Sequence, residues 1–131
     1  MRAKLSIIVL VLTAVIVAAV GCQHSIDLQD IEIRLAPIHE VKIFVNMSSP
    51  EQIFVYIKGG LSDSCTTLHE LKTEHIDNTI KITVTTQCPV DVKCAQVYSY
   101  FEENVALGSN FASGKTYIID VNGVIEFFKY P

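Results

Sequence analysis

The sequence predicts an all-β domain, a β-sandwich of about seven or eight short antiparallel strands that follows an N-terminal signal or anchor helix. Two observations lead to this fold class. Short segments in which apolar and polar residues alternate recur from residue 31 to residue 129, and such alternation is typical of strands with one buried face. Turn-forming residues separate these segments, and none of them shows a convincing helical pattern.

The clearest strand covers residues 79–86, where isoleucine and valine share one face and lysine and threonine share the other. Asp77-Asn78 before it and Asn122-Gly123 near the C-terminus tolerate the positive φ angles of tight hairpin turns. Because Asp77-Asn78 suits a hairpin, we predict a strand over residues 66–76, although their composition also suits a helix. The predicted strands cover residues 31–35, 41–46, 52–58, 66–76, 79–86, 95–101, 115–121 and 124–129.

Two further segments are predicted to lie between strands. Gly59-Gly60 follows an apolar run and is expected to break it. Glu102-Glu103-Asn104 is expected to form a solvated turn, after which residues 105–107 return to the core. On a strand Glu102 and Glu103 would point to opposite faces, so they do not provide the convergent carboxylates of a glycosidase.

The N-terminus has the organisation of a secretory signal peptide. Arg2 and Lys4 precede an apolar stretch over residues 5–20, which is shorter than the roughly 20 residues of a straight membrane-spanning helix. The stretch ends in Ala19-Val20-Gly21-Cys22. This ending resembles the lipobox of bacterial lipoproteins, in which small residues flank the cut and the cysteine thiol takes a diacylglyceryl group. Ala19 stands where leucine is commoner in that motif.

We therefore expect a lipoprotein signal peptide over residues 1–21, the lipidated Cys22 with a tether and first strand over residues 22–36, and the sandwich over residues 37–131. Lipid on Cys22 would hold the protein on the cell membrane, facing outside the cytoplasm, at the cell surface or in the periplasm. An uncleaved single-pass anchor is the alternative.

Charge argues against a nucleic-acid partner. The whole chain has 10 basic and 14 acidic residues, and loss of Arg2 and Lys4 with the signal peptide would leave a formal charge of −6. Nucleic-acid binding depends on cationic patches that displace counterions from phosphates.

Three cysteines, Cys65, Cys88 and Cys94, remain in the mature chain. In an oxidising compartment this odd number predicts one disulfide and one thiol. The spacing favours Cys65–Cys94, but Cys88–Cys94 and Cys65–Cys88 stay open. A zinc site is disfavoured because its candidate ligands form two pairs, each six residues apart, whereas zinc sites use close pairs on a turn. Those candidates are Cys88, Cys94, His69 and His75. We expect no metal and no cofactor.

Several short motifs each occur once, in an order that is informative when they are taken together. They are Gly60-Leu-Ser-Asp-Ser-Cys65, Asn78-Thr-Ile-Lys-Ile-Thr-Val84, Cys94, Phe101-Glu, Val105-Ala-Leu107, Gly114-Lys-Thr-Tyr117 and Val121-Asn-Gly123. Together they resemble a group of uncharacterised bacterial exported domains, often lipoproteins, over roughly residues 37–128. The resemblance implies a small immunoglobulin-like sandwich in which Cys65 and Cys94 are bridged and Cys88 is extra. It implies no activity.

The sequence has no recognisable catalytic motif, neither a Gly-x-Ser-x-Gly elbow nor a glycine-rich phosphate loop. We therefore expect a protein that is not an enzyme, a binding or accessory module for an unidentified protein or envelope component. Loops 59–66 and 86–94 are the expected contact region. Five tyrosines could form a recognition surface or fill a sheet face, namely Tyr56, Tyr98, Tyr100, Tyr117 and Tyr130. The alternative function is an immunoglobulin-like protease inhibitor.

Overall fold

A computed structural model describes residues 30–131 as eight strands in two sheets. The strands are β1 (Ile31–Leu35), β2 (Ile38–Asn46), β3 (Gln52–Leu61), β4 (Thr67–Ile76), β5 (Thr79–Pro89), β6 (Ser99–Gly108), β7 (Thr116–Val121) and β8 (Val124–Lys129). The larger sheet contains β1, β4, β5, β7 and β8, and the smaller sheet has the order β2-β3-β6. The predicted all-β class and the number of strands are confirmed.

The predicted signal peptide and Cys22 lie outside the described residues. Within residues 30–131, no helix has both the length and the apolar character needed to cross a membrane. The predicted first strand is present as β1, and it belongs to the larger sheet rather than to a free tether.

The core lies between the inner faces of the two sheets. β3 and β5 are its centre, because alternate residues on each strand point inward and are fully buried. Removing such a side chain from water contributes roughly 1.5–3 kcal/mol. The largest fully buried side chains are Ile53, Val55, Ile57, Ile80, Ile82, Val84, Ile119 and Val121.

Strand β5 organises the larger sheet. Along one edge it pairs with β4 from end to end. Along the other edge, β1 pairs with its C-terminal part and β7 pairs with its N-terminal part. The β5–β7 pair is parallel, whereas the sequence led us to expect antiparallel neighbours. Parallel neighbours need a crossover connection, and β6 in the opposite sheet supplies it.

Asn122 joins the C-terminal ends of β1 and β7 to the middle of β5. Its side-chain amide donates to the carbonyl of Ala36 at 2.9 Å and to the carbonyl of Val84 at 2.7 Å, and its oxygen accepts from the Val84 N–H at 3.0 Å. Asn122 has a φ of 48° and Gly123 a φ of 91°, as a type I′ hairpin requires. The predicted Asn122-Gly123 hairpin is confirmed, and the side chain of the same asparagine also links β5 to the end of β1.

The predicted hairpin at Asp77-Asn78 is also confirmed, with Asp77 at a φ of 53°. The turn joins β4 to β5, and the two strands pair antiparallel from Ile76 opposite Thr79 onward. The segment that could have been a helix is therefore a strand, because the turn returns it along β5.

The prediction that Gly59-Gly60 breaks a strand is wrong. Strand β3 continues through both glycines to Leu61. A Cβ atom at Gly59 would collide with the ring of Phe101, and one at Gly60 would collide with the phenol of Tyr98. Glycine is needed here because an aromatic ring lies against each face of the strand, Phe101 on the core side and Tyr98 on the outer side, not because the chain turns.

The prediction of a turn at Glu102-Glu103-Asn104 is also wrong. These residues lie in the middle of β6, which begins at Ser99 and pairs with β3 along its length. The predicted strand over residues 95–101 is displaced, since residues 95–98 are not in a strand. Strand β3 offers a long partner edge, with Lys58 opposite Glu102, and this pairing outweighs the local preference of the acidic residues for a turn.

Candidate functional site

The Cys65–Cys94 disulfide is formed, with the two Cα atoms 5.6 Å apart, which confirms that prediction. It joins the β3–β4 turn to the β5–β6 connection. Cys88, at the end of β5, is half-buried and is the free cysteine of the described residues.

Asp63 shapes the turn that carries Cys65. One of its carboxylate oxygens accepts three hydrogen bonds, from the N–H groups of Cys65 and Thr66 and from the Thr66 hydroxyl, each at 2.9 Å. The bond from the Thr66 hydroxyl, followed by that from the Cys65 N–H, holds the pKa of Asp63 below its ordinary value. The carboxylate therefore stays charged and fixes the position of Cys65.

The turn holds the exposed connection that leads into β6. Ser64 donates its N–H to the carbonyl of Ala95 at 3.0 Å, and its hydroxyl accepts the Ala95 N–H at 2.9 Å. These bonds lie beside the Cys65–Cys94 disulfide, so the chain is fixed at two successive residues, Cys94 and Ala95. Tyr98 follows only four residues after Cys94, and its position depends on this anchorage.

Tyr98 belongs to a cluster of three rings, His39, Tyr98 and Tyr100, that we call the aromatic triad. All three pairs meet edge to face, with centroids 5.4 to 5.9 Å apart. Nε2 of His39 and the hydroxyl of Tyr98 form a hydrogen bond of 2.5 Å. Gly60 lies beneath the Tyr98 phenol, and its missing side chain makes room for the ring.

The triad is open to solvent on one side. Tyr98 is 47% exposed and Tyr100 is 57% exposed. Lys58 lies with its ammonium 4.9 Å from the centroid of the Tyr100 ring and 3.6 Å from a carboxylate oxygen of Glu102. The cluster therefore offers apolar ring faces, hydroxyl groups and both signs of charge within a small area.

Further aromatic side chains continue along the outer face of the smaller sheet. Phe44 is opposite Phe54, and Tyr56 is opposite Lys42, whose ammonium lies 5.9 Å from the tyrosine ring centroid. Burial, followed by a hydrogen bond with Glu102, raises the pKa of Tyr56, so its hydroxyl stays neutral. We call this surface, from Phe44 to the triad, the aromatic face.

The remaining two tyrosines have structural roles. Tyr117 is buried in the core. Tyr130 packs against Phe111 and Phe128 and donates its hydroxyl to a carboxylate oxygen of Glu51 at 3.1 Å. Of the five tyrosines, Tyr56, Tyr98 and Tyr100 therefore lie on an outer surface, and the other two are structural.

The residues weighed for zinc do not meet as a thiolate–histidine set. Cys94 is bonded to Cys65, and Nδ1 of His69 is hydrogen-bonded to Oε1 of Gln87 at 3.0 Å. Asp63 lies within 4.8 Å of both disulfide sulfurs. Since these sulfurs are not thiolates, only the carboxylate of that group is an ordinary ligand.

A small polar cleft of about 180 Å³ lies beside the β3–β4 turn. Arg34 and Glu32 form an exposed ion pair of 2.6 Å at its border. Its lining residues are Glu32, Arg34, Ser62, Asp63, Thr66, Thr86 and Cys88. The two predicted contact loops thus meet at this end of the sandwich, between the cleft and the triad.

Sequence reasoning does not single out His39, which is 59 residues from Tyr98. It lies at a register irregularity between Ile38 and Glu40, beside Tyr98 and Tyr100. The available signal was the glycine pair at 59–60, which marks a close approach to the backbone but does not identify what approaches.

Comparison with known proteins agrees with this architecture. The profile of a family described as the ORF11 beta-sandwich domain matches residues 55–129. Two relatives from Herpetosiphon aurantiacus are uncharacterized 10.2 kDa proteins. The one in the HgiCIIM 5' region is 42% identical over 92 residues, which is 70% of this chain and 97% of the relative. The one in the HgiBIM 5' region is 43% identical over 82 residues, which is 63% of this chain and 99% of the relative.

No solved structure matches the chain significantly. The profile covers more than half of the chain, and the relatives are covered almost from end to end. The chain therefore belongs to the ORF11 beta-sandwich domain family.

Proposed function

We propose that the protein is a lipid-anchored binding module outside the cytoplasm, without catalytic activity, that recognises a protein or envelope component through the aromatic triad and the loops beside it. The observation that carries the proposal is the exposed triad, held by Gly60, by the His39–Tyr98 hydrogen bond and by the disulfide-bound connection. Nucleic acid is not among the proposed partners.

The triad has the properties of an interface anchor. Tyrosine contributes a large rigid ring with a polar tip and loses little conformational entropy on binding. Tyrosines are also enriched among the few residues that carry most of the binding energy of protein interfaces. Because Tyr98 is already held by neighbouring groups, a partner would meet a surface that is ordered in advance.

Replacing Tyr98 and Tyr100 with alanine should weaken partner binding by at least about tenfold, the usual scale for loss of an interface anchor. The measurement is quantitative capture of binding partners from solubilised envelope by the membrane-extracted protein and by the variant. Ile76→Ala is the matched control, because Ile76 and Tyr100 are both 57% exposed. Equal partner profiles for the wild type and the double variant would contradict a binding role for the triad.

Replacing Cys22 with serine should abolish the acyl mass, since serine has no thiol to accept the diacylglyceryl group. Wild-type protein extracted from membranes should lack residues 1–21 and carry the added mass of its acyl chains. Intact-mass spectrometry and fractionation measure both results. A wild-type product that keeps Met1 and has no acyl mass would refute the lipid anchor, while leaving the binding role of the triad open to its own test.

A rigid exposed loop favours the protease inhibitor as a second candidate. The connection around Cys94 is exposed on both sides of the cysteine yet is tied by the disulfide and by the Ser64–Ala95 bonds. A loop held in this way could occupy a protease cleft. Inhibition of one protease in a panel, lost on reduction of the disulfide, would favour this candidate over the binding module.

A further inference from the structure

The outer face of the larger sheet carries an exposed apolar stripe that the proposed binding role does not use. Its members all point away from the core on three strands, as the register with β5 and β7 places them. They are Ile31, Ile33 and Leu35 on β1, Ile118 on β7, and Ile125 and Phe127 on β8. Five of them are 45–70% exposed, and Ile118 is half-buried.

Strand β1 turns its charged side chains inward and its apolar side chains outward, which is the reverse of the usual arrangement. Arg34 is paired opposite Thr86, which is buried, so Glu32 and Arg34 lie on the inner side around the polar cleft. The isoleucines and the leucine lie on the solvent side. An exposed apolar surface of this kind is typical of a site that contacts a partner or a membrane.

We infer that this stripe rests on the surface of the lipid bilayer and orients the domain on the membrane. The inference depends on the proposed lipidation of Cys22. Nine residue steps separate Cys22 from Ile31, so even a fully extended chain holds the start of β1 within about 30 Å of the anchored cysteine. The strand nearest the anchor is thus one of those that turn apolar side chains outward.

The charges on this face suit a contact that is mainly apolar. Lys81 and Asp120 are neighbours in the register of β5 and β7, and with Asn122 they line a small cleft between Leu35 and the apolar residues of β7 and β8. The stripe therefore has two parts, with a pair of opposite charges between them. With no excess of either sign at that point, the binding should depend on burial of apolar surface and little on anionic lipid.

This orientation has a consequence for the aromatic face. The two sheets of a sandwich turn their outer faces in opposite directions. If the larger sheet lies on the bilayer, the smaller sheet presents the triad away from the membrane, where a partner can reach it.

The test uses tryptophan fluorescence, because the chain contains no tryptophan. Phe127→Trp places a single probe in the stripe, and Phe44→Trp is the matched control on the opposite sheet. Both full-length variants are purified in lipidated form and reconstituted in neutral phosphatidylcholine vesicles with or without brominated acyl chains.

We expect bromine to quench the emission of the Phe127→Trp variant at least about twofold and to leave that of the Phe44→Trp variant nearly unchanged. The reason is that interfacial segments bury about 5–10 Å into the acyl boundary. Replacing a third of the lipid with anionic lipid should alter neither result.

The outcomes separate this inference from lipid anchoring. Flotation with the vesicles measures the anchor independently of quenching. Variants that float while the probe at position 127 stays unquenched would overturn the inference and leave the anchor intact, and crosslinked dimers through that position would assign the stripe to a second copy of the chain. Failure to float, together with absence of acyl mass, would overturn both. Ile125→Trp provides a second probe if Phe127→Trp folds poorly.

Discussion

Replacing Asn122 with alanine is expected to lower the free energy of unfolding by about 3 kcal/mol, since three hydrogen bonds of roughly 1 kcal/mol each are lost. The lost bonds leave the Ala36 carbonyl and the Val84 N–H without their side-chain partner. Alanine also tolerates the positive φ at this position less well than asparagine does. Urea denaturation of the purified protein measures the change.

Two further variants identify the cause. Asn122→Gly keeps the freedom to adopt a positive φ and removes the side chain, so its loss of stability reports the hydrogen bonds alone. Asn104→Ala removes an exposed asparagine from β6 and should change stability by no more than about 0.5 kcal/mol. If Asn122→Gly were as stable as the wild type, Asn122 would be a turn residue only, and its role in joining three strands would be wrong.

Replacing Cys65 and Cys94 together with alanine is expected to cost about 3.5 kcal/mol, the chain-entropy value for a loop of this length. The two residues are 29 apart in sequence. Substituting both avoids a new free thiol that could pair with Cys88. Denaturation under non-reducing conditions measures the effect, with Cys88→Ala as the control that keeps the disulfide.

The same double variant should also bind the proposed partner more weakly. Without the disulfide, the connection before β6 is held only by the hydrogen bonds between Ser64 and Ala95. Tyr98 would then lose part of its anchorage, and a partner would have to order it on binding. A variant that is destabilised by the expected amount but binds normally would show that the disulfide stabilises the fold without positioning the triad.

Local sequence was sufficient for much of the fold. Residues 79–86 alternate strictly, and the turns at Asp77-Asn78 and Asn122-Gly123 depend on backbone angles that few residues tolerate. Such signals act within a few residues and are readable in one sequence. Strand β6 was misplaced because its position is set by pairing with β3, whose paired residues lie 38 to 55 positions earlier. The parallel β5–β7 pair was missed because it depends on the path of the intervening chain through the other sheet.

The candidate site was only partly predictable for the same reason. The tyrosines and the loop that Cys94 fixes could be named from the sequence. The presence of His39 beside Tyr98 could not, because it requires the register of β2 against β3 and the open space above Gly60. The resemblance implied the Cys65–Cys94 pairing that spacing alone left open.

The hydrogen bond from Asn122 to Ala36, at the end of β1, also determines when the domain can complete its folding. Ala36 receives its hydrogen bond from a residue 86 positions later in the chain, and β5, the partner of β1, ends only at Pro89. During synthesis from the N-terminus, the first strand therefore stays unpaired until residue 89 has emerged, and the bond from Asn122 needs a further 33 residues. Contacts over such sequence separations form slowly. Until β1 pairs with β5, the unpaired edge of β5 can associate with other chains. A stop codon a few residues before Asn122 would accordingly remove the hydrogen bond that holds the end of β1, although the two lie far apart in sequence.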